Sequence, residues 1–483
     1  MNYLAIKDLR MKNKISQTKL AEYTHLSKAK VSAWELGKVI PTESELEFVH
    51  NQLTDMIELI KVGAINVTKK RIQHGGCSVK KLPTNLESPE EYVHKMSKVQ
   101  YHNAYAKELS DLYAKAHNIK TDEIKGIALF SGCGGMTLGF EAAGFNLVGH
   151  IEIDGAANNI YSANFPESTL LKKDINNVTD ADLQEWKNKY DDIEVIVGGP
   201  PCQGFSLAGK RSPADERNKL YQQYVRIVDA IKPKAFVFEN VALLTSMKNE
   251  NGEFFIDCIV NAFHSVGYTV QYNTINAYSF GVPQSRERVI IIGLRDDLNR
   301  RFEFPAGEYF EPSNEIRLDL DEKRKAIRTF RDATFDLKSL ESGETDDYDP
   351  LHWAIVHPEH VVRWLKPVPE GHSAHENIDV ALRPPSGFNT TYKRIVWNEP
   401  CSTISTNFSM ISGCRNVHPT NTRSLTIREA TRVQSFPDEY IFYGKWGDVR
   451  KGIGNAVPPI LAYEIANNLK KQIFISNRST LHN

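Results

Sequence analysis

Ile127-Ala128-Leu129-Phe130-Ser131-Gly132-Cys133-Gly134-Gly135 joins a short apolar run to a turn with three glycines in four residues, and a helical stretch follows from Met136. Glycines where a strand turns into a helix let the backbone approach a ligand closely. The turn lacks the GxGxxG spacing of a dinucleotide site and suits an adenosyl ligand. Working outward, 127–130, 147–151, 195–197 and 235–238 are candidate strands, with helical stretches after Met136 and Lys219. That alternation predicts a doubly wound α/β sheet. Glu152 closes the second strand, where a carboxylate can hold ribose hydroxyls.

Gly199-Pro200-Pro201-Cys202-Gln203-Gly204-Phe205-Ser206 follows the third candidate strand directly. Two prolines and two glycines fix a loop at the carboxyl edge of a parallel sheet, where ligands bind. A lone cysteine usually acts as a small buried hydrophobe. Here the proline-bounded loop holds Cys202 out of the core.

Six motifs in this order resemble the DNA cytosine-C5 methyltransferase family over roughly 125–470. They are the Phe130–Gly135 turn already quoted, Pro201-Cys202-Gln203, Glu239-Asn240-Val241, Gln284-Ser285-Arg286-Glu287-Arg288, Arg428-Glu429-Ala430 with Gln434-Ser435-Phe436-Pro437, and Gly454-Asn455-Ala456-Val457-Pro458-Pro459. The resemblance implies a Rossmann-like S-adenosylmethionine-dependent methyltransferase fold with a smaller target-recognition domain. It implies S-adenosylmethionine as methyl donor, double-stranded DNA as substrate and a restriction-modification setting. A cognate restriction endonuclease would then act on the same site without a stable complex.

The chemistry calls for the same residue types. C5 of cytosine is a poor nucleophile, so a thiolate must first add at C6, and Cys202 suits that role. Either its loop favours the thiolate or a neighbour takes the proton. By resemblance Glu239 neutralises charge near N3 and the exocyclic amine, Arg288 binds the O2 side, and Arg286 supports the catalytic loop or a phosphate. Strand alternation puts Arg286 and Arg288 on one face. The resemblance also assigns the cofactor to Phe130, Gly132, Gly134, Glu152, Asp174, Ile175, Asn455 and Val457, with Asn218 and Leu220 as further candidates. The reactive carbon lies inside a stacked duplex, so the base must flip out. Target reading is expected within 300–415, where 386–394 and 403–407 are either base and phosphate donors or plain loop.

The N-terminal part is of another kind. Ile15-Ser16-Gln17-Thr18-Lys19-Leu20-Ala21, then Lys28-Ala29-Lys30-Val31-Ser32-Ala33-Trp34-Glu35, resemble the helix-turn-helix of phage-repressor-like regulators, an all-α module. Gln17, Lys28, Lys30 and Ser32 are its candidate DNA contacts, and such a module could regulate its own promoter. Residues 1–38 carry eight Lys/Arg against three acids, whereas 39–60 carry five acids and no Lys or Arg.

At 483 residues the chain exceeds one core. The expected division is 1–61 helix-turn-helix, 62–122 linker and helix, 123–299 catalytic and cofactor-binding, 300–415 target recognition, and 416–475 completing the catalytic domain. Ser88-Pro89-Glu90-Glu91 opens a helix expected to run to about His117, and 341–350 reads as an exposed acidic loop. Six cysteines without zinc spacing predict free thiols and no metal. No bilayer-length apolar run or signal layout is present, so a cytoplasmic protein without membrane partners is expected. An amino-group DNA methyltransferase would carry Pro-Pro-Tyr/Phe where Pro-Pro-Cys-Gln stands. A regulator with a dead enzyme domain would have lost catalytic residues. An RNA cytosine methyltransferase of the same architecture stays open as an alternative, with the N-terminal DNA-binding module arguing against it.

Overall fold

The structure is a computed structural model that describes residues 3–13, 15–17, 20–21, 24, 26–61, 85–99, 102–118, 124–201, 220–249, 251–310, 325–385 and 387–475. The chain forms two compact units, Met1–Val79 and Lys80–Asn483.

The first unit contains helices Tyr3–Lys12, Lys28–Glu35 and Glu43–Lys61. Ser27 caps the second by accepting from the Lys30 N–H. The expected packing residues Leu20, Ala21, Val31 and Trp34 are buried with Ile6, Ile15, Val49 and Leu53. A buried ion pair closes the unit: Arg10 Nε and Nη2 donate to the two Glu35 carboxylate oxygens at 2.8 and 3.0 Å.

The second unit is built on a seven-stranded sheet of order β3-β2-β1-β4-β5-β8-β6. Its strands are β1 Ile124–Leu129, β2 Phe145–Ile151, β3 Thr169–Lys172, β4 Val195–Gly198, β5 Ala235–Val241, β6 Tyr268–Asn276 and β8 Glu287–Arg295, with the short β7 Gln284–Ser285 just before β8. The first five run parallel, and β8 is antiparallel to β5 and β6. Strand alternation sorts the core into two faces. Ala128, Val195, Val197, Val237, Ile290 and Ile292 pack on one side; Ile127, Leu129, Ile196, Phe236, Phe238 and Ile291 pack on the other. Burial on both faces is what parallel strands require, and it explains their unbroken apolar runs. Helix Pro459–Leu469 lies so close to helix Gly135–Ala142 that a Cβ at Gly139 would sit 2.5 Å from the Cβ of Ala462. The far end of the chain therefore completes the core begun by the first strand.

Three local expectations change. The helix from Ser88 is two helices, Pro89–Met96 and Ala104–His117. Asn103 breaks the run because its side chain accepts from the N–H groups of Tyr105 and Ala106 and starts a new helix. Leu86, Tyr92, Tyr105, Leu109, Leu112 and Ala116 from this stretch belong to the core that covers the sheet. In the supposed acidic loop, Asp349 is buried and accepts from Arg428 Nε at 2.6 Å. The described residues from 325 to 417 have sparse regular structure and a small separate core, Val361, Leu365, Val368, Ala374, Tyr392, Ile411 and Val417.

Candidate active site

Sheet register aligns the site. Ile151 pairs with Leu129, Leu129 with Gly198, and Gly198 with Phe238. The residue after each, Glu152, Phe130, Gly199 and Glu239, therefore falls in one row along the carboxyl edge of the sheet. The chain leaves that edge in turns that must bend sharply.

At the first turn Phe130, Gly132 and Gly134 all have positive φ, 55°, 56° and 90°. Among the described residues a Cβ at Gly132 would meet nothing within 4 Å, so there the turn borders open space. Glu152 ties it to β2: one carboxylate oxygen accepts from the Gly132 N–H and the other from the Asp154 N–H, each at 2.7 Å. Burial pushes the Glu152 carboxyl pKa up, and the two N–H groups oppose the shift. Asp174 caps the turn Ile175–Asn177, with Ile175 buried behind it. Asn455 is exposed at the end of helix Trp446–Asn455, and Val457 is buried with its carbonyl so close to Gly135 that a Cβ there would collide with it. Sequence reasoning passed over Ile153, which directly follows Glu152 and is 68% exposed. Its only signal was its position beside that carboxylate.

At β5, Glu239 is 9% exposed, and Arg288 Nε donates to its carboxylate at 2.9 Å. The other Glu239 oxygen lies so near Gly199 that a Cβ there would stand 2.8 Å from it. Only glycine lets the Pro-Pro-Cys loop start against that carboxylate. Asn240 Nδ2 donates to the Pro200 carbonyl at 2.9 Å, pinning the first residues of the loop to β5. Asn240 entered the sequence reading only as a motif letter. Cys202 and Asn218 lie outside the described residues; Leu220 begins helix Leu220–Ile231.

The strand is interrupted at Arg286, between β7 and β8, and the Arg286 N–H goes to the Asn276 side chain at 2.9 Å instead of the ladder. The 1%-exposed guanidinium donates to the carbonyls of Ile404, Gly454 and Ala456 at 3.0–3.1 Å, so it clamps the backbone around Asn455. Its Nε has no hydrogen-bond partner among the described residues. Gln284 and Gln434 extend the clamp, with Gln284 accepting from the Ile404 N–H and Gln434 donating to Ile453 and Ala456. Burial pulls the pKa values of Arg286 and Arg288 down, and the Glu239 carboxylate pulls them up.

In the stretch 386–394, of which Ser386 lies outside the described residues, Arg394 is buried and donates to the carbonyls of Leu365, Val368, His418 and Asn421, and Thr391 and Tyr392 are buried too. Phe388, Asn389, Thr390 and Lys393 remain exposed. In the N-terminal unit Gln17 donates to Glu35 at 2.5 Å. Lys30 pairs with Glu45 at 2.6 Å over the Trp34 ring, Ser32 is half-buried, and Lys28 opens the helix. Among the described residues no group of three His, Cys, Asp or Glu could hold a metal, and no helix is long and apolar enough to cross a membrane.

Comparison with known proteins bears on this arrangement. Residues 6–53 match the helix-turn-helix family, and residues 124–471 match the C-5 cytosine-specific DNA methylase family. The type II methyltransferase M.DdeI of Desulfomicrobium norvegicum is 35% identical over 71% of this chain and 88% of its own length. M1.HphI of Haemophilus parahaemolyticus is 36% identical over 71% and 86%. Among solved structures, an E. coli prophage-encoded protein described as a DNA modification methyltransferase aligns over 72% of this chain and 99% of its own, at 26% identity and a TM-score of 0.54. With a matching stretch that spans most of the chain, and with the glycine turn, the Glu239–Arg288 pair and the Arg286 clamp all inside it, this protein belongs to the C-5 cytosine-specific DNA methylase family, fused to an N-terminal helix-turn-helix.

Proposed function

We propose that this methyltransferase acts on a cytosine flipped out of a specific double-stranded DNA sequence, takes the methyl group from S-adenosylmethionine, and is the modification enzyme of a type II restriction-modification system. The observation that carries this reading is the Glu239–Arg288 pair standing beside the start of the Pro-Pro-Cys loop and one strand from the glycine turn. A carboxyl and a guanidinium fixed together present an acid and a cation to one edge of a planar base.

The residues fit the cofactor. Open space in front of Gly132, a buried Glu152 carboxylate and the exposed apolar Ile153 offer room, a ribose partner and a surface for the adenine. Asp174, Ile175, Asn455 and Val457 complete the set, with Phe130 and Gly134 shaping the turn. When bound, S-adenosylmethionine supplies an electrophilic methyl group. Cys202, as thiolate, forms the bond to C6, and the electron pair released from the C5–C6 double bond moves toward N3 and O2. Glu239, protonated, gives its proton to N3, while Arg288 holds O2. C5 is then nucleophilic. After transfer, N3 returns its proton to Glu239, water takes the C5 proton, and expulsion of the Cys202 thiolate restores the C5–C6 double bond. Arg286 serves this reaction by holding Gly454 and Ala456 in place.

Cys202→Ser should abolish methylation of double-stranded DNA while leaving cofactor binding within about twofold. Bisulfite sequencing of DNA from cells expressing each form reads product and target together, and turnover by the serine variant would overturn the mechanism.

The N-terminal unit is proposed to bind DNA on its own account, at the upstream region of its own gene, through Lys28, Lys30 and Ser32. Lys30 must then exchange Glu45 for phosphate, which an exposed pair does at little cost. Gln17 is held by Glu35 and acts by fixing the helix. Deleting residues 1–60 should spare methylation and remove that binding; equal binding by the truncated chain would refute the regulatory role. The domain limits 123–299, 300–415 and 416–475, an endonuclease acting separately on the same site, and a cytoplasmic location follow from the same proposal.

A further inference from the structure

The glycine turn is costly backbone. Three of its residues have positive φ, and one of them, Phe130, is not glycine. Such conformations persist only where their surroundings over-determine them. Two restraints come from β2: the Ile151 carbonyl accepts the Ser131 N–H, and Glu152 accepts the Gly132 N–H. A third comes from the other end of the chain, where the fully buried Tyr440 hydroxyl donates to the Cys133 carbonyl at 2.5 Å.

Tyr440 belongs to an aromatic wall behind Gly134. A Cβ at Gly134 would lie 2.5 Å from the Tyr440 hydroxyl, 2.6 Å from the Phe165 ring and 3.2 Å from the Tyr161 ring. The wall is backed from outside. The Tyr113 ring meets Tyr440 edge-on at 6.4 Å, and the His117 ring stacks on Phe165 at 6.0 Å with 14° between planes. The His117 Nε2 also lies 2.9 Å from the Asn164 carbonyl. Tyr92 donates its hydroxyl to the Asp438 carbonyl, two residues before Tyr440. All three backing residues precede residue 124, where the match to the methylase family begins.

We propose that residues 85–118 are a working part of the cofactor site. Through Tyr92, Tyr113 and His117 they fix the aromatic wall whose Tyr440 hydroxyl holds the Cys133 carbonyl, and so keep the glycine turn in its ligand-ready shape. Tyr440 and His117 are positioning residues, since both stand behind the turn. The inference rests on the glycine turn being the S-adenosylmethionine site.

Titration of the full-length protein with S-adenosylhomocysteine tests it. Tyr440→Phe removes only the hydroxyl and leaves a buried carbonyl unpaired. Its Kd should rise about tenfold, the worth of one such hydrogen bond. KM for S-adenosylmethionine should rise in step, with kcat at saturating cofactor and DNA affinity within about twofold. His117→Ala alters an exposed side chain, so it folds whatever Tyr440→Phe does; it should raise Kd about threefold, and His117→Phe, which keeps the stack, should restore it. A purely structural role would lower the unfolding temperature and leave Kd unchanged in folded protein. Unchanged Kd in the folded variants overturns the inference. If the wild-type protein itself fails to bind S-adenosylhomocysteine, the cofactor reading falls instead.

Discussion

Glu239→Gln separates acid chemistry from base recognition. The amide keeps the shape of the side chain, and its oxygen can still accept from Arg288 Nε, now 2.9 Å from the carboxylate. What disappears is the proton that the side chain carries to N3 when the base is bound and, in the free protein, the carboxylate charge that faces Arg288 directly and Arg286 at longer range. A positioned general acid contributes roughly 10²–10⁴-fold in rate, so the methyl-transfer step should slow by about a thousandfold. Breaking a buried ion pair from one side costs about 3 kcal/mol of folding stability. Affinity for DNA should change less than tenfold, because Arg288 and the target-recognition stretch remain. Single-turnover transfer of tritiated methyl to DNA from a methylation-deficient host measures the rate, and urea unfolding measures the folded fraction. A rate within about fivefold of wild type, or a loss wholly explained by unfolded protein, would refute the assignment of Glu239 as the acid.

Arg286→Met should cost about 3 kcal/mol in urea unfolding, since three carbonyls lose a charged donor. Arg286→Lys should recover little of it, because one ammonium cannot span Ile404, Gly454 and Ala456. Stability should also fall on acidification. Burial lowers the His357 pKa from 6.5 to about 4, with Arg423 adding to the shift. The unfolded chain therefore takes up a proton at higher pH than the folded one, and this contribution is whole above pH 6.5 and lost as pH falls toward 4. A shift of that size corresponds to about 3 kcal/mol, and His357→Asn should flatten the pH dependence of the urea midpoint between pH 7.5 and 4.5. Burial lowers His418 to about 3, with Glu429 opposing the shift and Arg423 adding to it, and this acts in the same direction.

The sheet was legible because its central strands are buried on both faces and read as unbroken apolar runs. Glu152 and Glu239 were legible because each directly follows or ends such a run. The partners of Arg286 were not legible because the carbonyls it binds, those of Ile404, Gly454 and Ala456, lie more than a hundred residues along the chain. The break at Asn103 was hidden because apolar positions on both sides keep helical spacing, while one side-chain cap overrides it. Asp349 read as part of an exposed acidic loop because its partner Arg428 lies 79 residues away. Tyr440 carried no local signal at all; its role depends on Cys133, 307 residues distant.

Those distant pairs have a consequence for specificity. Arg423, Arg428 and Arg432 are fully buried and answered by Glu429, Asp349, Asp438 and Asp336. Two of these pairs, Arg428 with Asp349 and Arg432 with Asp336, fasten residues 336 and 349 to helix Ile427–Val433, at the end of the stretch proposed to read the target. Buried ion pairs add little net stability over well-packed apolar residues, but they accept only one geometry. The junction should therefore fix the base-reading stretch relative to Glu239 more than it holds the fold together. Arg428→Met alone removes the cation that faces the buried Asp349 carboxylate and should cost about 3–5 kcal/mol, as one-sided loss of a buried pair does. Arg428→Met with Asp349→Leu removes both charges and should recover most of that stability, yet methylate near-cognate sequences more often. Bisulfite sequencing of genomic DNA from cells expressing the double variant reads that loss directly. A double variant as stable and as selective as wild type would mean that apolar packing alone sets the register of the two regions.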